Sequence, residues 1–129
     1  METIWSTRLV RFSAIFGLIG AILGAHMAGA GSLAFRPVHA HVLVVGWLSL
    51  FAWGVYYKAF KVKSSTLVTL QGWTGIIGAT GLSVGLWLQY LQPLGDIKAL
   101  NLAVYIGGGV ILLLSFVLFL IVTFQQDKE

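Results

Sequence analysis

Hydrophobic residues occupy four long runs of the chain, over residues 12–31, 40–57, 67–90 and 99–124, and none of these runs contains Asp, Glu, Lys or Arg. Charged positions are confined to the short stretches between and beyond them. At about 1.5 Å per residue, a helix over each run crosses a hydrocarbon core of roughly 30 Å, with some tilt for the longer two. Period-two alternation, the mark of a membrane strand, is absent. The pattern predicts an all-α, integral membrane four-helix bundle forming a single domain over residues 1–129. The start of the chain, where Arg8 and Arg11 precede an apolar run ending in Ala28-Gly29-Ala30, also has the outline of a secretory signal with its cleavage site. It is counted here as the first span.

Composition supports lipid as the solvent. With 58% hydrophobic and 9% charged residues, the chain has too little polar surface to cover a water-soluble domain of its size. Its net charge of +4 reports topology, because the basic residues form no extended stripe of the kind that binds nucleic acid. Arg8, Arg11, Lys58, Lys61, Lys63 and Lys128 fall on one side of the predicted spans, and only Arg36 and Lys98 on the other. The positive-inside rule places that richer side, and with it both termini, in the cytoplasm, with a bacterial plasma membrane as the expected location. The connection over residues 32–38 and the turn over 92–96 then face outward.

Glycines are spaced three and four apart at Gly17, Gly20 and Gly24 in the first span and at Gly75, Gly78, Gly81 and Gly85 in the third. Such small-residue ridges let helices approach closely, and a flat cofactor lying against one of them is the sharper alternative. The strings Gly17-Leu18-Ile19-Gly20-Ala21 and Gly75-Ile76-Ile77-Gly78-Ala79 are alike, which hints at a duplicated hairpin with parallel repeats. In the second span Gly46, Ser49, Trp53 and Tyr57 share one helical face that is expected to look into the bundle.

The candidate chemistry rests on three histidines, His26, His39 and His41, all toward the outer face. No cysteine is present, which removes disulfides, thiolate metal sites and cysteine nucleophiles. No acid or base lies deep in a span, which speaks against a proton or ion relay. Paired carboxylates, a nucleophile with its base and a phosphate-cradling loop are all missing, which disfavours hydrolysis and phosphoryl transfer. Histidines at a headgroup boundary are also tolerated simply as amphipathic interface residues. Against that stands neutral imidazole as a ligand for haem iron, copper or zinc. His26 and His41 are placed to face each other across the first hairpin, whereas His39 and His41 lie about 200° apart on a helix and share a site only if the helix begins after His39. His41 therefore ranks first in the second span, with His39 as ligand or as its support. Arg36 is placed to pair with haem propionates or lipid phosphate. Gln89, Tyr90, Asn101 and Tyr105 are expected at the same depth.

The second span carries a resemblance. His39-Ala40-His41, four aliphatics at 42–45, Gly46-Trp47 and the closing aromatics Trp53, Tyr56 and Tyr57 resemble a haem-ligating helix of subunit I in the haem-copper oxygen and nitric oxide reductase superfamily, especially small membrane proteins related to the cbb3-type oxidase catalytic subunit. The similarity covers about twenty residues and implies a haem ligand at His41 or His39. With four spans and three histidines the chain lacks the ligands for that superfamily's haem-copper centre, so the resemblance implies at most one haem or one metal ion. The expectation is a haem b protein of the membrane, with His26 and either His41 or His39 as axial ligands, used for electron transfer or gas sensing. The alternatives are an accessory subunit packed against a larger respiratory or photosynthetic complex, and a copper or other metal site. The expected assembly is a homo-oligomer or a subunit of a larger membrane complex.

Overall fold

The computed structural model describes residues 1–126, and Lys128, counted above among the inside cations, lies outside them. Four helices form: α1 over Trp5–Ala30, α2 over Arg36–Ala59, α3 over Thr66–Leu91 and α4 over Lys98–Gln126. Each is long and apolar enough to span a membrane. Helix starts and stops follow local chemistry. Pro37 sits in the first turn of α2, where its missing N–H costs nothing. Ser65 caps α3 by accepting the Val68 N–H at 3.2 Å. Helix α1 ends at Gly31 with φ 63°, the left-handed conformation that glycine adopts freely.

Helix α1 begins seven residues before the charge-free run because Arg8 and Arg11 are carried on helix extending past the apolar segment; the Arg8 guanidinium lies over the Trp5 ring at 5.1 Å. Helix α2 begins four residues before the predicted run, so both His39 and His41 are helical. From Val42 to Ser49 it widens into a π-helix, and it returns to α-helical geometry over Leu50–Ala59.

The helices pack as two hairpins, α1 with α2 and α3 with α4, and the glycine ridges lie inside them. A methyl group on Gly78 would sit 2.5 Å from the Leu112 backbone nitrogen, and one on Gly81 would sit 3.0 Å from the Gly108 Cα. Gly85 is crossed by the Tyr105 backbone. In the first hairpin Gly17 receives Trp47, Gly20 receives Leu43 and Gly24 receives His39. Both ridges are thus filled by the neighbouring helix, as the close-packing reading expects, and the space that glycine opens is not left for the flat cofactor weighed as its alternative.

Aromatic residues join the hairpins at one end. Trp5 packs on Gly72 and meets Trp73 edge-on at 5.3 Å, while Trp53 contacts Phe116 and Phe119 at 4.9 and 5.7 Å. The N-terminal segment closes the same end: Thr3 N–H donates to the Val62 carbonyl at 2.9 Å, Ser64 N–H to the Met1 carbonyl at 3.1 Å, and Lys58 pairs with Glu2 at 3.0 Å. The N-terminus and the α2–α3 connection therefore share one end of the bundle. Ile15, Leu18 and Ile22 on α1 and Val110, Leu113, Val117 and Leu120 on α4 remain exposed, as lipid-facing side chains must.

Candidate functional site

The first turns of α2 bring its two histidines to different surroundings, because the helix starts at Arg36, ahead of both. His39 turns to α1. Its Nδ1 lies 2.8 Å from the Gly20 carbonyl oxygen, and its ring rests on Gly24, where a methyl group would stand 3.0 Å from Cε1. His41 turns away from that contact, and its Nδ1 lies 2.9 Å from the Pro37 carbonyl oxygen of its own helix. The residue that bridges the first hairpin is His39; the expectation that His41 fills this role is corrected by the earlier start of the helix.

Both contacts fix a tautomer. A carbonyl oxygen can only accept, so Nδ1 must be the N–H in each ring, and in the neutral imidazole Nε2 keeps its lone pair. Metal-ligating histidines share this arrangement: the outer nitrogen donates to a carbonyl, which orients the ring and raises the basicity of the other nitrogen.

His26 is exposed and stands edge-on to Phe35 at 5.5 Å. It follows Gly24 by two residues, about 200° around α1, and so lies away from the face that receives α2. Arg36 is exposed in the first turn of α2. The other polar residues expected at this depth are engaged within the second hairpin: the buried Asn101 donates from Nδ2 to the Gly95 carbonyl at 3.4 Å, and Tyr90 meets Tyr105 edge-on at 6.5 Å. No group of three His, Asp or Glu side chains converges among the described residues. The chain by itself thus offers single imidazoles, which suit a haem iron held in a macrocycle better than a copper or zinc ion needing three or four protein ligands.

Two residues carry structure that the sequence pattern did not flag. Gln71 is completely buried; its Oε1 accepts from the Tyr57 hydroxyl at 2.6 Å, its Nε2 donates to Ser115 Oγ at 3.2 Å, and Ser115 Oγ–H donates to the Gln71 carbonyl at 3.0 Å. This chain of bonds ties α2, α3 and α4 together. The available signal was an amide inside an apolar span, which must find a partner in lipid. The second is Ser83, buried in α3 with no partner for its hydroxyl among the described residues. Compared with protein-family models, with curated proteins and with solved structures, the chain finds no match in any of the three.

Proposed function

We propose that this chain is a haem b protein of a bacterial plasma membrane, with both termini cytoplasmic, serving electron transfer or gas sensing, and that His39 is its first axial ligand. The observation that carries the reading is the His39 ring clamped between the Gly20 carbonyl and Gly24, with Nδ1 donating and Nε2 left as a base. His41 has the same tautomer but points about 200° away around α2, and His26 lies off the face of α1 that receives α2, so neither reaches an iron on His39 of the same chain; the second ligand would be His41 or His26 of another copy in a homo-oligomer. Arg36, in the first turn of α2, offers a guanidinium to propionates. A bound haem would supply one-electron chemistry or a gas ligand position; the imidazoles would hold and orient it, and the apolar spans would exclude water from around it. The likeness of residues 38–57 to a haem-ligating helix of the haem-copper oxidases supports the same reading.

The test is the absorption spectrum of the purified, haem-supplemented protein before and after dithionite. A Soret band should be present in the wild type, be lost in His39→Ala, and be weakened or shifted toward a five-coordinate spectrum in His41→Ala or His26→Ala. Loss in His41→Ala with retention in His39→Ala would move the ligand by two residues. A wild type that takes up no haem would refute the proposal and leave the accessory-subunit reading in its place.

A further inference from the structure

The core at the N-terminal end of the bundle is closed, but its surface is not. Helices α1 and α2 cross there at Gly54, where a methyl group would stand 2.8 Å from the Ser6 carbonyl oxygen and from a Val10 methyl. Beside this crossing a groove of about 590 Å³ runs between the two helices, lined by Thr7, Val10 and Arg11 of α1 and by Phe51, Val55 and Lys58 of α2. Phe51 and Val55 are each 44% exposed and belong to the charge-free run of α2, which faces lipid. The helices run in opposite directions, so Arg11 lies on the membrane side of the crossing and Lys58 on its outer side. No acidic side chain lines the groove. Among the described residues Glu2 is the one carboxylate at this end, and it is engaged with Lys58, while the Arg8 guanidinium lies over Trp5. Arg11 is exposed and makes no hydrogen bond or ion pair among the described residues.

We infer that this groove binds an anionic phospholipid, with an acyl chain along Val10, Phe51 and Val55 and the phosphodiester held between Arg11 and Lys58, one cation from each helix. Both cations ride on long stems whose heads reach headgroup depth while the stems cover apolar surface. A guanidinium presents paired donors that match two phosphate oxygens, and basic side chains set between membrane helices select lipid by charge. A zwitterionic lipid brings its own cationic group towards Arg11 and Lys58 and loses most of that gain. A soluble anion would leave the apolar walls uncovered, and the apolar face of a second copy would bury the Arg11 charge without a partner, at a large desolvation cost. The groove is at the far end of α2 from its histidines, so the inference holds with or without haem.

The test is photolabelling of the full chain in phosphatidylcholine vesicles that carry a trace of phosphatidylglycerol with a diazirine in its acyl chain, mapped by mass spectrometry. The same diazirine on phosphatidylcholine is the comparison. The phosphatidylglycerol probe should label the α1 and α2 segments that line the groove several-fold more than the phosphatidylcholine probe does. Arg11→Gln should cut that excess roughly fivefold, as expected for one lost cation beside an anionic headgroup. Lys61→Gln removes a cation at the same end that does not line the groove, and should leave the excess unchanged. Val55→Trp, which fills the groove from a half-exposed position, should abolish labelling there by either probe without changing detergent stability. Equal labelling by the two probes would overturn the inference, since the groove would then take any acyl chain. So would equal losses in Arg11→Gln and Lys61→Gln, the mark of surface potential alone, and so would an unlabelled groove, the mark of a second copy covering it. Competition by water-soluble glycerol phosphate as strong as by unlabelled phosphatidylglycerol would overturn it in favour of a soluble anion. None of these readouts depends on haem absorption, so this result and the spectrum can fail separately.

Discussion

Substituting Gly78 by alanine puts a methyl group against the backbone of α4, 2.5 Å from Leu112 N, 2.6 Å from its Cα and 2.9 Å from its Cβ. Carbon atoms rest at about 3.5–4.0 Å, so the two helices must separate by about 1 Å at this crossing. A gap of that order forfeits a quarter to a half of each dispersion contact along the seam, and it opens the neighbouring approaches of Gly81 to Gly108 and Gly85 to Tyr105 as well. Overpacking of this kind costs about 1–3 kcal/mol, and Gly78→Ala belongs at the upper end because the obstructing atoms are backbone and cannot rotate away. Gly81→Ala should cost about 1 kcal/mol, since its methyl is tight only against the Gly108 Cα, at 3.0 Å, with the Gly108 nitrogen at an ordinary 3.7 Å. Gly107→Ala is the internal control: nothing lies within 4 Å of its methyl, and alanine exceeds glycine in helix preference by about 0.5–1 kcal/mol, so it should be neutral or stabilising. Reversible unfolding in mixed micelles, followed by far-UV circular dichroism, ranks the three. Gly78→Ala unfolding together with wild type, or Gly107→Ala proving the worst of the set, would refute the close α3–α4 seam.

Gln71→Leu strands the Tyr57 hydroxyl and removes the amide bond to Ser115, whose hydroxyl keeps its bond to the residue 71 carbonyl, and should destabilise by about 1–2 kcal/mol in the same assay, the sum of two interhelical hydrogen bonds in a membrane; combined with Tyr57→Phe the loss should be less than additive, and strict additivity would show that the bonds act separately. Lys58 bonds to and attracts the Glu2 carboxylate, holding its pKa below the ordinary value of 4.5. A depressed folded-state pKa adds stability above the unfolded value and loses it as pH falls through the folded one, so Glu2→Gln should differ slightly from wild type at neutral pH and not at all in strong acid or high salt, because the pair is solvent-exposed. Reporters placed after Ser64 and after Glu129 should both be active only in the cytoplasm; activity of either outside would overturn the charge-based orientation.

The four helices were legible because absence of charge over twenty or more residues has few structural meanings. Their ends were less so: α1 keeps Arg8 and Arg11 on helix because long cationic stems reach the surface from inside a helical turn. The glycine pattern was legible as close approach, but a spacing along one helix does not say what comes close. In α2 the inward stripe was only partly legible. Gly46, Trp53 and Tyr57 are buried as expected, but Val42 and Leu50 join them, while Ser49 stays half-exposed and donates to the Val44 carbonyl five residues back at 2.9 Å. Counting at 3.6 residues per turn fails where hydrogen bonds run to the fifth residue, and nothing in the aliphatic run at 42–45 announces that change. For the histidines, residue type and depth were readable, but which of them meets α1 depended on a helix start set by Pro37.

The two ends of the bundle are built to different standards. At the N-terminal end the first residues pair with the α2–α3 connection, Trp53 and Tyr57 pack on Phe119, and the Tyr57–Gln71–Ser115 bonds cross three helices. At the other end a groove opens between α1 and α3, Ser83 Oγ and the Asn101 Oδ1 lack partners among the described residues, and the three histidines lie on different helical faces. Local stability follows local packing and hydrogen bonding, and groups that bind are drawn from the less satisfied region because a ligand has something to supply there. Substitutions at Gln71, Gly72 or Trp53 should therefore change unfolding while leaving any haem spectrum intact in the folded fraction, whereas substitution at His39 should do the reverse. A His39 variant whose whole effect is lost stability would place that end with the scaffold, and would remove the physical ground for assigning it a ligand.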